Sequence, residues 1–171
     1  MGNQQERSLA WLAGILDGEG SVSVQVYTLP DGRVRLTPFV GIVNSDVGIL
    51  NGCREVLAEI GVRYRDCKKP LTEGEYVGTL LCQNIRVDGQ QPVRQLLEVV
   101  GPYLRSVKRG YAETIIKYLD SRKENGFSRD EMGRVRRSEY SRAEIELIAS
   151  VRSHKRAKSS EAICRAPNVL G

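Results

Sequence analysis

Two runs of alternating residues around a proline turn constrain the fold of this chain more than any other feature. In residues 21–29, Val22, Val24 and Val26 alternate with polar side chains, and residues 33–42 alternate in the same way. Such alternation is typical of a strand with one apolar and one polar face. The segment Pro30-Asp31-Gly32 between the runs is a turn, because proline presets φ and Asp-Gly tolerates the bend. The two runs therefore predict an antiparallel hairpin.

Helical and extended patterns alternate along the rest of the chain. Helical spacing in residues 8–16 predicts a helix that Ser8 caps and that Gly18 and Gly20 end by taking positive φ angles. Ser141 and Glu144 form a capping box for a last helix. This order predicts an α+β domain with an antiparallel four-stranded sheet and helices on one face. The remaining predicted elements are a helix from 44–46 to about 60, strands over 62–69 and 76–88, and helices over 92–100 and 102–123.

Composition narrows the class of protein further. The chain of 171 residues is 40% hydrophobic and 27% charged, which is typical of one soluble domain, with or without a tail. Apolar runs are short and no signal sequence is evident, so we expect an intracellular protein that is neither membrane-bound nor secreted. The four cysteines lack C-x-x-C spacing, which favours reduced core thiols. The net charge of +5 is concentrated in residues 101–171 and favours an anionic partner.

Several enzyme classes lack their sequence signals. The single histidine, His154, lies among basic residues and apart from any nucleophile, so no catalytic triad is indicated. Neither of the glycine-rich phosphate-binding loops occurs, so no nucleotide cofactor is implied.

A row of small residues follows one side of the first helix. Ala10, Gly14 and Gly18 are spaced at i, i+4 and i+8. A glycine inside a helix costs about 1 kcal/mol relative to alanine, so Gly14 needs a compensating reason. One reason is close approach by a second helix, and the alternative is tight packing on the chain's own sheet.

The same segment carries a family motif. Leu12-Ala13-Gly14-Ile15-Leu16-Asp17-Gly18-Glu19-Gly20 resembles the signature of the LAGLIDADG homing endonucleases, and the similarity in element order extends over residues 8–124. The resemblance implies the saddle-like sheet of that fold in a core domain of residues 1–126. Residues 127–171 would then be a basic C-terminal extension with one helix and a mobile tail.

The resemblance also implies how the chain assembles. Family members bring two motif helices together, but this chain has one motif and no internal repeat. It therefore resembles the single-motif type, in which a two-fold homodimer completes the site and the motif helix lies at the dimer interface. The residues expected at this interface are Ala10, Ala13, Gly14, Asp17 and Gly18.

The resemblance places an active site at the end of the motif helix. Glu19 corresponds to the metal-binding acid, the Gly18 carbonyl is a further ligand, and hard oxygen ligands favour Mg²⁺. Lys108 corresponds to an active-site lysine, with a surface lysine as the alternative. Asn44 corresponds to an amide that orients the attacking water, with an ordinary helix cap as the alternative. Asp17 has a structural role in this comparison.

The polar face of the sheet is the expected DNA-reading surface, because an antiparallel sheet fits the major groove. On the third strand, the family-like facing places Tyr64, Asp66 and Lys68 on this surface, and the opposite facing, with Arg63 and Arg65, remains open. The residues expected to contact double-stranded DNA are Ser23, Gln25, Tyr27, Arg33, Arg35, Thr37, Tyr64, Asp66 and Lys68.

The resemblance therefore implies a homodimeric, Mg²⁺-dependent, site-specific DNA endonuclease of the homing class, encoded in a group I intron. Its target would be long and pseudo-palindromic. One alternative is an intron maturase that binds its own intron RNA, which the basic C-terminal third would suit. A second alternative is a non-catalytic DNA-binding regulator, although the acid at Glu19 argues against it.

Overall fold

The computed structural model describes residues 2–68, 83–129, 135–137 and 139–153. The predicted order of helices and strands is found, with a 3₁₀ turn and two short strands after residue 126 that the patterns did not predict. The helices are α1 (Gly2–Glu19), α2 (Val47–Glu59), α3 (Gln90–Val100), α4 (Lys108–Asn125) and α5 (Arg142–Ser153), with a 3₁₀ turn over Gly101–Tyr103. The strands are β1 (Gly20–Thr28), β2 (Val34–Asn44), β3 (Arg65–Lys68), β4 (Gln83–Asp88), β5 (Phe127–Arg129) and β6 (Val135–Arg137).

The main sheet is four-stranded and antiparallel, which confirms the predicted class. Its strand order is β1-β2-β4-β3, so β4 pairs with β2 and leaves β3 at the edge. The predicted hairpin is β1 and β2, in which Val24 lies opposite Pro38 and Gln25 lies opposite Thr37. Strands β5 and β6 form a separate two-stranded sheet.

One face of the main sheet packs against the helices. Val22 and Val24 of β1, Val40 of β2 and Ile85 of β4 are almost completely buried on this face. The helices bury their apolar stripes against it, among them Leu12 and Leu16, Leu57, Leu97 and Ile115. No helix in the described ranges is both long and apolar enough to cross a membrane.

Helix α1 is longer than the sequence pattern predicted. It begins at residue 2, and Ser8 is inside it, with its hydroxyl donating to the Gln4 carbonyl at 3.2 Å instead of capping the helix. The predicted glycine stop is also wrong, because Gly18 is helical and neither Gly18 nor Gly20 has positive φ. Gly20 serves another purpose: a Cβ there would lie 2.7 Å from the Leu16 carbonyl oxygen, so glycine permits the direct change from helix to strand.

The single helix predicted over residues 102–123 is interrupted. After the 3₁₀ turn, Leu104 is extended and α4 begins only at Lys108. The backbone N–H groups of Arg105 and Ser106, in the loop between these elements, donate to the carboxylate of Asp17 in α1. A partner distant in sequence thus satisfies donors that a continuous helix would have used internally.

Helix α5 belongs to the same core as the preceding residues, although the sequence assigned it to an extension. Ile148 and Val151 are fully buried in the main hydrophobic cluster. Its N-terminus has the predicted capping box, since Ser141 N–H donates to Glu144 at 2.8 Å and Glu144 N–H donates to the Ser141 hydroxyl at 3.2 Å. Residues 157–171, predicted to be a mobile tail, lie outside the described residues, as do residues 154–156 at the end of the predicted last helix.

Candidate functional site

Glu19 occupies the junction between α1 and β1. It is the last residue of the helix, its side chain is exposed, and the strand begins at the next residue. The junction therefore presents a carboxylate where the glycine-containing helix meets the sheet. Among the described residues there is no cluster of three or more His, Cys, Asp or Glu side chains that would hold a metal ion.

Asn44 holds the Glu19 carboxylate from the neighbouring strand. Its Nδ2 donates to Glu19 Oε2, while its Oδ1 accepts the Asp46 N–H at 2.7 Å. Because a backbone N–H can only donate, the second bond fixes the amide with its NH₂ group toward Glu19. Asn44 is only 8% exposed, and Asp46, rather than Asn44, caps α2 by accepting from Gly48 and Ile49. Asn44 is therefore placed to orient Glu19.

Asp17 binds the loop that precedes α4. Its carboxylate accepts from the Ser106 hydroxyl at 2.5 Å and from the Arg105 N–H at 2.6 Å. Burial acts to raise the pKa of Asp17, but the hydrogen bonds from Ser106 and Arg105 and the charge of Lys108 outweigh it and lower the pKa below its ordinary value. The carboxylate is therefore ionised and structural in this chain.

Lys108 caps the C-terminal end of α1. Its Nζ donates to the carbonyl oxygens of Leu16 and Asp17 at 2.7 and 2.8 Å. Burial lowers the pKa of Lys108, although the negative charge of Asp17 acts in the opposite direction. A cation at a helix C-terminus is stabilising because the last carbonyls carry partial negative charge. Lys108 is thus not a free surface lysine. It holds the turn of α1 that ends in Glu19.

The row of small residues on α1 is open to solvent. Ala10, Gly14 and Gly18 are exposed, and a Cβ at either glycine would meet nothing within 4 Å in the described part of the chain. Packing on the chain's own sheet, the alternative explanation, therefore does not account for them. Of the other predicted interface residues, Ala13 is fully buried in the chain's own core and is not available to a second helix, and the Asp17 carboxylate accepts hydrogen bonds from the loop before α4.

The second face of the sheet is polar over β1 and β2, as predicted. Gln25 lies opposite Thr37 and Tyr27 opposite Arg35, on the face away from the helices. Ser23 shares this parity but is only 8% exposed. Arg33 is in the turn before β2, where its guanidinium pairs with Asp31.

The family-like facing of β3 is wrong. Asp66 lies opposite the buried Ile85 and pairs with Arg54 of α2 at 2.8 Å, so it is on the helix side. Tyr64 packs against the core, and Lys68 shares the strand parity of Asp66, although its side chain is outside the described residues. Arg65 lies opposite Arg86 on the polar face, as the other facing predicted.

Strand β4 adds polar-face residues that the sequence analysis missed. The Nε atoms of Arg86 and Arg65 each donate to the Asp88 carboxylate at 2.6 Å. Burial acts to raise the pKa of Asp88, but the hydrogen bonds and charges of the two arginines lower it. The Arg86 guanidinium also lies 4.0 Å from the Phe39 ring centroid. The sequence could have predicted the polar-face residues of β4, because they alternate with Ile85 and Val87.

The described cysteines are free thiols. Burial raises the pKa of Cys53 to about 11, against the opposing charge of Arg54, so this thiol is uncharged at neutral pH. Cys53 is thus a core thiol as predicted, whereas Cys67 is only partly buried on edge strand β3. Cys82 and Cys164 lie outside the described residues.

The comparison with solved structures supports this architecture. No protein-family model and no curated protein matches the sequence at a significant level. The solved homing endonuclease I-TnaI is similar with a TM-score of 0.63 and 14% identity, covering 92% of this chain and 94% of that protein. I-CvuI, solved with a DNA target in the presence of Mg, has a TM-score of 0.54 and 14% identity over 94% and 83% of the two chains.

A third similar structure is that of a LAGLIDADG protein. The LAGLIDADG meganuclease I-CpaMI, solved bound to uncleaved DNA, has a TM-score of 0.58 and 16% identity, covering 91% of this chain but 48% of its own. At these identities the similarity concerns the fold. The chain therefore has the LAGLIDADG homing endonuclease fold, and its structural neighbours are homing endonucleases, some of them bound to DNA.

Proposed function

We propose that two copies of this chain form a site-specific DNA endonuclease of the homing class, with Mg²⁺ as cofactor and a group I intron as its coding context. The observation that carries the proposal is the position of Glu19. It follows directly on the exposed Gly18, precedes the strand that carries Gln25 and Tyr27, and is oriented by Asn44. One carboxylate thus lies between a surface suited to a second helix and a surface suited to the major groove.

The exposed small residues of α1 support a homodimer. Glycines that cost helix stability and have open space beside them allow a second helix to approach closely. A two-fold axis along Ala10, Gly14 and Gly18 would bring the two Glu19 residues together at the end of the paired helices. The exposed Trp11 lies next to this row in sequence and would add apolar area to the contact.

The oxygen donors at the end of α1 fit Mg²⁺, which prefers carboxylate and carbonyl ligands. Glu19 of each copy would hold it, with the Gly18 carbonyl as a further donor. When bound, the metal would activate water and neutralise charge on the scissile phosphate. Asn44 keeps the Glu19 carboxylate turned toward its strand, and Lys108 keeps the last turn of α1 in place. The protein's part in the reaction is therefore to place two carboxylates rigidly.

The polar sheet face supports DNA as the substrate. Tyr27, Arg35, Thr37 and Arg65 lie on the face that no described helix covers. Side chains of this kind donate to phosphates and base edges. Two copies would present two such faces to a long, pseudo-palindromic site.

Cleavage of a randomised library of circular double-stranded DNA tests the proposal. With Mg²⁺, the wild-type protein should linearise members that share one palindromic consensus, and with Ca²⁺ it should bind them without cutting. Glu19→Gln keeps the hydrogen bond from Asn44 but removes the charge, so cleavage should fall about 10²-fold or more while binding persists. Glu59→Gln, at an exposed position of α2, makes the same change elsewhere and should cut like the wild type.

Two results would contradict the proposal. One is a wild-type protein that binds the consensus and never cuts it with any divalent metal, as a regulator would. The other is a protein that retains no DNA but binds intron-containing precursor RNA, as a maturase would. A Glu19→Gln variant that cuts normally would show that cleavage does not need the Glu19 carboxylate.

A further inference from the structure

Arg86 fixes the side-chain amide of Gln25. The Nη2 of Arg86 donates to Gln25 Oε1 at 2.6 Å, although β2 separates the two strands that carry these residues. Gly41 of β2 lies directly opposite Arg86 and has no side chain in the way. A guanidinium has donors and no acceptor, so the Gln25 atom that faces it must be the oxygen. The NH₂ group of Gln25 is therefore the end of the amide that does not face the arginine.

Arg86 is itself held in place. Its Nε donates to Asp88 at 2.6 Å, its guanidinium stacks on Phe39, and its side chain is only 18% exposed. Asp88 is in turn bound by Arg65, whose side chain is 62% exposed. Arg86 is thus held on several sides and largely buried, whereas Arg65 is mostly exposed. The contact between Arg86 and Gln25 is part of the folded chain before any ligand arrives.

A glutamine with a free amide pairs with adenine, because it accepts from N6 and donates to N7 at the same time. The Arg86 guanidinium takes one of the two lone pairs of the Gln25 oxygen, and its positive charge beside that oxygen opposes the approach of a second donor such as adenine N6. The NH₂ group of Gln25, which only donates, therefore makes the favoured contact with a base. Guanine presents two acceptors, O6 and N7, in the major groove, whereas adenine presents one acceptor beside a donor. We infer that Gln25 in this chain selects guanine over adenine, and that Arg86 is the positioning residue that decides the choice. This inference rests on the proposed binding of DNA.

Selection from a randomised double-stranded DNA library without Mg²⁺ tests the inference. Sequencing the DNA retained by the wild type and by Gln25→Leu identifies the base pair that depends on Gln25. At that base pair the wild type should enrich guanine over adenine, and Arg86→Met should reverse the preference by about tenfold, the discrimination expected of a bidentate pair. Arg86→Lys should keep guanine, because an ammonium group also only donates.

Arg35→Met is the matched control, since it removes an arginine from the same face, opposite Tyr27. It should change selection at another base pair and leave the Gln25-dependent pair unchanged. The inference is overturned if the wild type enriches adenine at that pair, or if Arg86→Met and the wild type share one preference there. If Arg86→Met does not fold, the comparison of the wild type with Gln25→Leu still decides between guanine and adenine. Failure of the wild type to retain any DNA would instead overturn the proposed function.

Discussion

Lys108 and Asp17 join the start of α4 to the end of α1, because the side chain of each contacts the segment that carries the other. The Lys108 ammonium donates to the backbone carbonyl of Asp17 at 2.8 Å, and the Asp17 carboxylate accepts from the loop residues that lead to Lys108. Both contacts lie in the last turn before Glu19. These contacts therefore couple the start of α4 to the end of α1. The position of Glu19 thus depends on residues about ninety positions away in the sequence.

Removing the Lys108 ammonium should destabilise the end of α1. We expect Lys108→Met to lower the free energy of unfolding by about 1–2 kcal/mol, because two carbonyls lose a charged donor. Lys108→Arg keeps the charge and should lose less. Urea unfolding measures both, together with the rate of DNA cleavage. Unchanged stability with abolished cleavage would assign Lys108 to direct contact with the phosphate instead.

The Asp17 carboxylate should contribute a pH-dependent part of stability. Its pKa is lowered in the folded state, so its contribution is present above the ordinary value of 3.8 and is lost as the pH falls through the lower folded value. We expect Asp17→Asn to be less stable than the wild type by about 1–2 kcal/mol at neutral pH. Thermal unfolding across pH should show the difference shrinking below about pH 4. A difference that stays constant would show that the charge is not involved.

Gly14 should lower the stability of the isolated chain while it allows the proposed dimer to form. Gly14→Ala meets open space, so it should stabilise the monomer by about 0.5–1 kcal/mol through helix propensity, while it weakens the proposed dimer. Gly110→Ala is the control, because Gly110 is also helical, exposed and unobstructed. Sedimentation equilibrium with and without DNA should show weaker association for Gly14→Ala alone. Equal association of the two variants would argue against a dimer through α1.

The pairing of Arg122 with Glu144 should be important for attaching α5. Both side chains are at least 97% buried, with Arg122 Nη1 lying 3.6 Å from Glu144 Oε2, and Ser121 donates to the same carboxylate. Arg122→Met should cost about 3–5 kcal/mol, because it leaves a buried charge without its cation. Arg122→Met combined with Glu144→Gln should recover part of this loss. Urea unfolding measures both variants, and a cost below about 1 kcal/mol would mean that α5 is loosely attached.

The sequence determined the elements whose causes are local. Alternation around Pro30-Asp31-Gly32 specified the β1–β2 hairpin, Ser141 and Glu144 specified the start of α5, and the apolar spacing of α1 specified its buried side. Each depends on residues within a few positions of one another, so turn chemistry and periodicity suffice to predict it. The sequence also showed that glycine inside α1 lowers helix stability and therefore needs a compensating reason.

The tertiary structure decided which strands are neighbours and which distant residues meet. Alternation assigns residues to the two faces of a strand, but it does not say that β4 lies beside β2 or which face of β3 is polar. The contacts of Gln25 with Arg86 and of Asp17 with Lys108 depend on that arrangement. They join residues 61 and 91 positions apart, and their geometry is set by core packing between the elements rather than by any local preference of the chain.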